Sequence, residues 1–253
     1  MLVLNCQIDT PRTQLKTVKK INIFSSKHEM TDRCEILLPS KGFFKEKLLK
    51  TLFVYGEPIE VKMGYGDELN TIFQGFISEV NAGTPLTLQA EDAMFLLKKI
   101  PTKPVVLENA FLPMVMGHLL YPLYFSLENH VPLGTFTIYP EDDTVAKVLQ
   151  KLKDRYGFSI FFRNNLLNIC KEKQIPNPKI HNLNVQRHLL SDQLCFDFKS
   201  GLAGDFTIFG TPFIRHGDHI LLEDEQFEKM GLHSVKSVNY QFGEQGFRQK
   251  VGV

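Results

Sequence analysis

The sequence contains no tryptophan, only four cysteines in 253 residues, and almost no net charge. Each scarcity excludes something. Cys6, Cys34, Cys170 and Cys195 lie far apart with no CxxC pair, so neither a disulfide scaffold nor a zinc ribbon is indicated, and reduced thiols are the default. Lys plus Arg number 29 against 28 Asp plus Glu, a formal charge of +1, so no global field draws the chain toward nucleic acid or an anionic membrane. Nowhere do about 18 apolar residues run together, and Met1 to Asp9 lacks the basic and apolar stretches of a leader, so the chain is expected to be made in a cytoplasm. Missing too are the Gly-x-Ser-x-Gly elbow, HExxH, GxxxxGK and GxGxxG, which leaves nucleophilic, zinc-hydrolase and nucleotide chemistry without a signature.

What remains is average globular usage, 43% hydrophobic and 23% charged, with 17 Gly and 13 Pro. Disorder is excluded and a sizeable core is available. The aromatics are 21 Phe and 7 Tyr, apolar plates suited to sheets and subunit contacts.

From the start to about residue 92 the pattern has period two, which predicts strands at Leu2 to Ile8, Lys20 to Ser25, Cys34 to Leu38, Ile59 to Gly64, Ile72 to Asn81 and Leu86 to Ala90. The turn Asn81-Ala-Gly-Thr-Pro85 joins the last two, with a positive φ expected at Gly83. Phe44, Leu48 and Leu52 predict a short amphipathic helix. The Pro-containing stretch Ile100 to Pro104 marks a boundary. Beyond it, Asn109 is expected to cap a helix through Leu120. A second helix is predicted over Thr144 to Tyr156, where Val145, Val148, Leu149, Leu152 and Tyr156 form one stripe. Asp142 and Asp143 are expected to cap it, and Gly157 to end it. Phe158 to Arg163, Asn164-Asn165 and Leu166 to Lys171 read as a hairpin. After the linker Gln174 to Pro178, strands are predicted at Asn184 to Leu190, Leu194 to Lys199, Phe206 to Phe209, His219 to Leu222, Val235 to Phe242 and Phe247 to Val253.

The fold class is therefore α+β and mainly β. The outer segments also share a faint echo, Ile77-Ser-Glu-Val-Asn81 and Val235-Lys-Ser-Val-Asn239, which chance between alternating strands explains equally well.

Candidate chemistry is sparse. His216-Gly-Asp-His219 is the one dense histidine group, but residues three apart on a strand face opposite ways, so a turn at Gly217-Asp218 is the better reading than a metal site. Glu141-Asp-Asp143 is accounted for as a cap, and Glu223-Asp-Glu225 as a solvated connection. Gly64-Tyr-Gly66-Asp67 is a hairpin turn, with no helix behind it to hold phosphate. Lys16-Thr-Val-Lys-Lys20 either binds an anion or is a solvated strand edge that discourages pairing. No catalytic residue, cofactor or metal is expected.

The stretch Phe53-Val-Tyr-Gly-Glu-Pro-Ile-Glu-Val-Lys-Met-Gly-Tyr, with Ile72-Phe-Gln-Gly-Phe-Ile-Ser-Glu-Val and Leu86-Thr-Leu-Gln-Ala-Glu-Asp, resembles the first barrel of phage late-control protein D, the baseplate hub family of contractile tails. Gly210, Gly217-Asp218 and the run from Gly231 to Val253 resemble its closing hairpin. That family is also similar to the base of type VI secretion spike proteins. The resemblance implies two similar small antiparallel β-barrel (tube) domains, 1–97 and 179–253, bracketing an α+β middle domain over 98–178. It implies a non-enzymatic homotrimer whose six near-equivalent barrels form a pseudo-sixfold ring joining the central spike to the tail tube. Partners would be a tail spike protein on a separate chain and the tail tube and baseplate proteins, with no sequence-specific nucleic acid and no membrane insertion. The location would be the virion tail baseplate, after synthesis in the host cytoplasm. Phe242 and Phe247, which flank the Gly243-Glu-Gln-Gly246 turn, and Arg248 are the candidate subunit-interface residues. Two alternatives predict other geometry. A tail-associated polysaccharide hydrolase using Glu223 or Asp224 needs paired carboxylates in one cleft, and a monomeric ligand-binding barrel needs an apolar pocket.

Overall fold

Alternating apolar and polar residues turn most of the chain into strands. The computed structural model describes every residue except 1–3, 40–51, 67, 82, 84, 121–123, 164, 172–177, 198–200 and 224–230, with the backbone alone at 191–197 and 201–203. The first segment gives β1 (Leu4–Asp9), β2 (Gln14–Leu15), β3 (Lys20–Ser26), β4 (Arg33–Leu37), β5 (Pro58–Tyr65), β6 (Glu68–Asn81) and β7 (Thr87–Glu91). Then come α1 (Met94–Leu97), β8 (Val105–Phe111), α2 (Leu112–His118), β9 (Tyr124–Ser126), β10 (Pro132–Ile138), α3 (Val145–Tyr156), β11 (Ser159–Arg163) and β12 (Leu166–Cys170). The last segment holds β13 (Ile180–Asn184), α4 (Val185–His188), β14 (Leu189–Asp197), β15 (Gly201–Phe209), β16 (His219–Glu223), β17 (Leu232–Ser234), β18 (Ser237–Gly243) and β19 (Gly246–Gly252). The protein is α+β and mainly β. The expected helix around Phe44 to Leu52 lies outside the described residues apart from its last position.

Two compact units emerge. One comprises Met1–Ser26, Asp32–Asp92 and Asn177–Val253; the other comprises Lys27–Thr31 and Ala93–Pro176. The middle unit starts before the expected residue 98 and takes in a loop from the first segment, because Met30, Met94 and Leu97 bury in its apolar core.

In the larger unit, eleven strands form one ladder in the order β14-β15-β19-β18-β3-β4-β7-β6-β5-β1-β2. The pairing of β18 with β3, from Ser237 opposite Ser26 to Phe242 opposite Ile21, joins the two outer segments in one ladder. The ladder contains a repeat. The hairpin β3–β4 meets β7 through β4, and β7 meets β6; likewise the hairpin β14–β15 meets β19 through β15, and β19 meets β18. The order β14-β15-β19-β18 therefore restates β3-β4-β7-β6, each assembled from two hairpins in the same chain sequence. The five-residue echo lies wholly in β6 but only its last three residues reach the equivalent strand β18, so the two copies are out of register. Asn81 closes β6, whereas Asn239 sits near the start of β18.

One face of this ladder is apolar. Ile21, Ile23, Ile36, Val61, Met63, Leu88, Val238, Phe247 and Val251 are all buried in a single cluster that draws on both outer segments. Of the two readings of Lys16 to Lys20, the free strand edge does not hold for Lys20, which opens β3, a strand paired on both sides, and the Lys19 N–H donates to the Leu37 carbonyl at 2.9 Å. The turn after β6 is fastened by the Asn81 side chain, which accepts the Gly83 N–H at 3.2 Å, without the positive φ expected at Gly83.

The smaller unit is organised by α3. Val148, Leu149 and Leu152 are fully buried among Phe136, Phe158 and Ile160, each apolar side chain contributing about 1.5–3 kcal/mol. Gly157 ends the helix at φ 67°, as expected. Its start differs. Thr144 occupies the cap position in extended conformation with no side-chain capping bond. Asp142 instead accepts the Tyr139 N–H at 2.9 Å and pairs with Lys151 at 2.7 Å, while Asp143 pairs with Lys147 one turn on. The helix expected from Asn109 begins later, at Leu112, because Asn109 sits in β8 at φ 48°, beside a register shift opposite Gly134.

Candidate functional site

The residues singled out for subunit contact lie at the tip of the β18–β19 hairpin, whose register places Gln241 opposite Arg248, Phe242 opposite Phe247 and Gly243 opposite Gly246. Directly paired residues share a face. Phe242 and Phe247 thus point to the apolar side, and Gln241 and Arg248 to the other. Phe247 is only 1% exposed, and its ring lies 5.8 Å from that of Phe213. A Cβ on Gly210 would approach the Phe247 ring to 2.0 Å, so the glycine is what lets the loop after β15 cross this close. Phe247 is therefore core, a correction to its placement as an interface residue. The alternation that makes a strand residue conspicuous does not say which face the rest of the chain covers.

Phe242 is half-buried at the margin of the core, and Arg248 is half-exposed, its Nε–H donating to the Gln245 carbonyl at 3.0 Å. Both line a cavity of about 490 Å³ shared with Lys19, Lys20, Leu37 and Gln241. The basic run and the hairpin tip, read separately in the sequence, come together here through the β3–β18 pairing. Among the other phenylalanines, Phe206 is buried, while Phe209, opposite Arg248 on β15, is 51% exposed.

Sequence reasoning missed Gln249. It is fully buried on β19, where its Oε1 accepts the Ile214 N–H at 2.9 Å and its Nε2 donates to the carbonyls of Pro212 and Phe209 at 2.7 and 3.2 Å. Tyr240 adds a bond from its hydroxyl to the Ile214 carbonyl at 2.6 Å. Together they bind the 209–214 loop to the hairpin. The signal was a Gln at an inward position of an otherwise alternating strand.

The histidine tetrad forms a turn, with Gly217 at φ 79°. Asp218, 3% exposed, accepts the Arg215 N–H at 3.0 Å and the Lys179 N–H at 3.3 Å and meets His181 Nε2 at 3.1 Å, so it ties β13 to β16. Three or more potential metal ligands do not converge among the described residues. Glu223 closes β16, and Asp224 and Glu225 lie outside the described residues. Gly66, at φ 61°, turns the β5–β6 hairpin as expected. Burial pushes the thiols of Cys6 and Cys170 up to about 11, which leaves them poor nucleophiles at neutral pH.

No family model matches the chain, and neither does any curated protein. Solved structures do. The 43 kDa tail protein of prophage MuSo2 from Shewanella oneidensis superposes with a TM-score of 0.70 at 11% identity, over 99% of this chain and 97% of that one. A tail protein from Neisseria meningitidis gives 0.69 at 11% identity, over 98% and 95%. An Escherichia coli component of the type VI secretion system, described as structurally similar to phage T4 tail proteins, gives 0.68 at 10% identity, over 97% and 75%. Across nearly its whole length, this chain has the fold of those tail proteins.

Proposed function

We propose that the protein is a structural baseplate hub of a phage tail or a phage-like contractile injection apparatus, acting by contact and not by catalysis. Three copies would form a pseudo-sixfold ring that joins a central spike to the tail tube. The observation that carries this reading is the repeated strand order, β14-β15-β19-β18 followed by β3-β4-β7-β6, within one chain. A polypeptide with two like strand arrays can offer six near-equivalent surfaces as a trimer, and so meet a sixfold tube on one side and a threefold spike on the other. The fold shared with tail proteins, including one from a type VI secretion system, supports the same setting. In this reading the two arrays serve as the tube domains.

The deciding experiment is solution mass by light scattering across a concentration series, alone and mixed with a candidate tail spike protein. The expected species has three times the 29.0 kDa of one chain. A chain that stays at 29.0 kDa under both conditions removes the proposal.

A further inference from the structure

The cavity at the hairpin tip carries an inference of its own. Three cations, Lys19, Lys20 and Arg248, border a space of about 490 Å³, with Leu37 on their face of the sheet and Phe242 only at its margin. Among the described residues no carboxylate pairs with any of the three. Arg248 uses one donor on the Gln245 carbonyl, which leaves the rest of its guanidinium fork to face a ligand. On the same face, Phe209 stands opposite Arg248 and is 51% exposed, an aromatic plate beside the charge. Gly243 lines the space without a side chain: a Cβ there would lie 3.4 Å from the Lys19 carbonyl oxygen and 3.9 Å from the Lys20 side chain, ordinary contacts, and its φ is one that other residues adopt.

We infer that this cleft docks an acidic peptide segment of a partner protein, with carboxylates on Lys19, Lys20 and Arg248 and an apolar side chain against Leu37, with Phe209 beside the cleft to extend that contact. Arginine receives a carboxylate bidentately, and lysines supply compact charge on either side. A nucleic-acid backbone fits less well. Its affinity grows with the number of phosphates neutralised, and three cations beside Glu244 in a chain of net charge +1 offer few. A few carboxylates on a short segment match both the volume and the charge of the cleft.

The test is fluorescence anisotropy with a short labelled peptide alternating glutamate and phenylalanine, against its glutamine counterpart and a labelled oligothymidine. The glutamate peptide is expected to bind, and added salt to weaken it. Lys20→Glu with Arg248→Glu should lower its affinity about tenfold or more, as losing two close charge pairs does. Gly243→Leu should do the same by filling the cleft while leaving every charge in place. Lys103→Glu, an exposed site in the other unit, serves as the control for a charge reversal away from the cleft and should leave binding unchanged. Far-UV circular dichroism checks that each variant is folded. Equal binding of the glutamate and glutamine peptides, equal losses at Lys20/Arg248 and Lys103, or tighter binding of the oligothymidine would each overturn the inference.

Discussion

Gln249→Leu isolates the hydrogen bonds that hold the 209–214 loop, because leucine nearly preserves side-chain volume while removing every polar atom. Three bonds disappear. The Ile214 N–H is buried and, among the described residues, bonds to no acceptor but Gln249, so it bears the cost of an unmet donor, about 1–3 kcal/mol. The bonds to the Pro212 and Phe209 carbonyls are only partly buried and come from exposed residues, which sets their share at roughly 0.5–1 kcal/mol each. The sum is about 2–5 kcal/mol, a large fraction of the ~5–15 kcal/mol that holds a typical fold together. Urea unfolding monitored by circular dichroism reads a global loss. With two compact units the transition need not be two-state, so amide hydrogen exchange at Ile214 gives the local reading. A loss near 3 kcal/mol corresponds to about a hundredfold faster exchange there. Gln249→Glu should be no better, since it keeps the acceptor but buries a charge and loses both donors. Stability within about 0.5 kcal/mol of the parent, with Ile214 protection unchanged, would refute the reasoning and assign the loop to apolar packing alone.

Gly210→Ala should cost about 1–3 kcal/mol by overpacking, because the added methyl meets the Phe247 ring at 2.0 Å while the backbone itself accepts alanine. Combining it with Phe247→Leu should recover part of that loss in thermal melts, whereas strict additivity would show that the two do not meet. Asp142→Asn should cost about 1–2 kcal/mol at neutral pH through the lost charge in the pair with Lys151. Burial pushes the Asp142 carboxyl up, but the hydrogen bonds from Lys151 and the Tyr139 N–H and the charges of Lys151 and Lys147 outweigh it and hold the pKa below its ordinary value. A lowered folded pKa stabilises above the unfolded value, about 3.9, and is lost as pH falls through the folded one. The gap between parent and Asp142→Asn should therefore close in acid, and a gap that survives there counts against the pair.

Local patterns carried well into the structure wherever one element alone decided them. The stripe on α3 with Gly157 behind it, and the strand pairs either side of Gly66 and of Asn165 at φ 61°, follow from residues within one turn or hairpin of each other. Asn misled twice because it serves caps and left-handed positions alike. Asn109 sits at a bulge, while Asn184, read as the start of a strand, accepts the Arg187 N–H at 3.0 Å and caps α4. Pro113, just inside α2, marked that helix start better than Asn109 did. The candidate site was legible only in pieces. The hairpin and the basic run were both visible, but their meeting depends on β3 pairing with β18, and nothing local in either segment encodes that partnership. Phe247 failed for the same reason: the loop that covers it is fastened by Gln249 and by the space Gly210 leaves.

The bond from Ser26 Oγ to the Lys236 carbonyl bridges 210 residues and marks the β3–β18 seam. During synthesis, β3 leaves the ribosome with one flank bonded to β4 and must keep the other bare until nearly the entire polypeptide has followed. Such distant closure slows maturation and exposes a sticky flank to strand capture by neighbouring nascent chains. Lys20, which opens β3 one residue before that flank, places a cation next to where an intruding strand would begin to add.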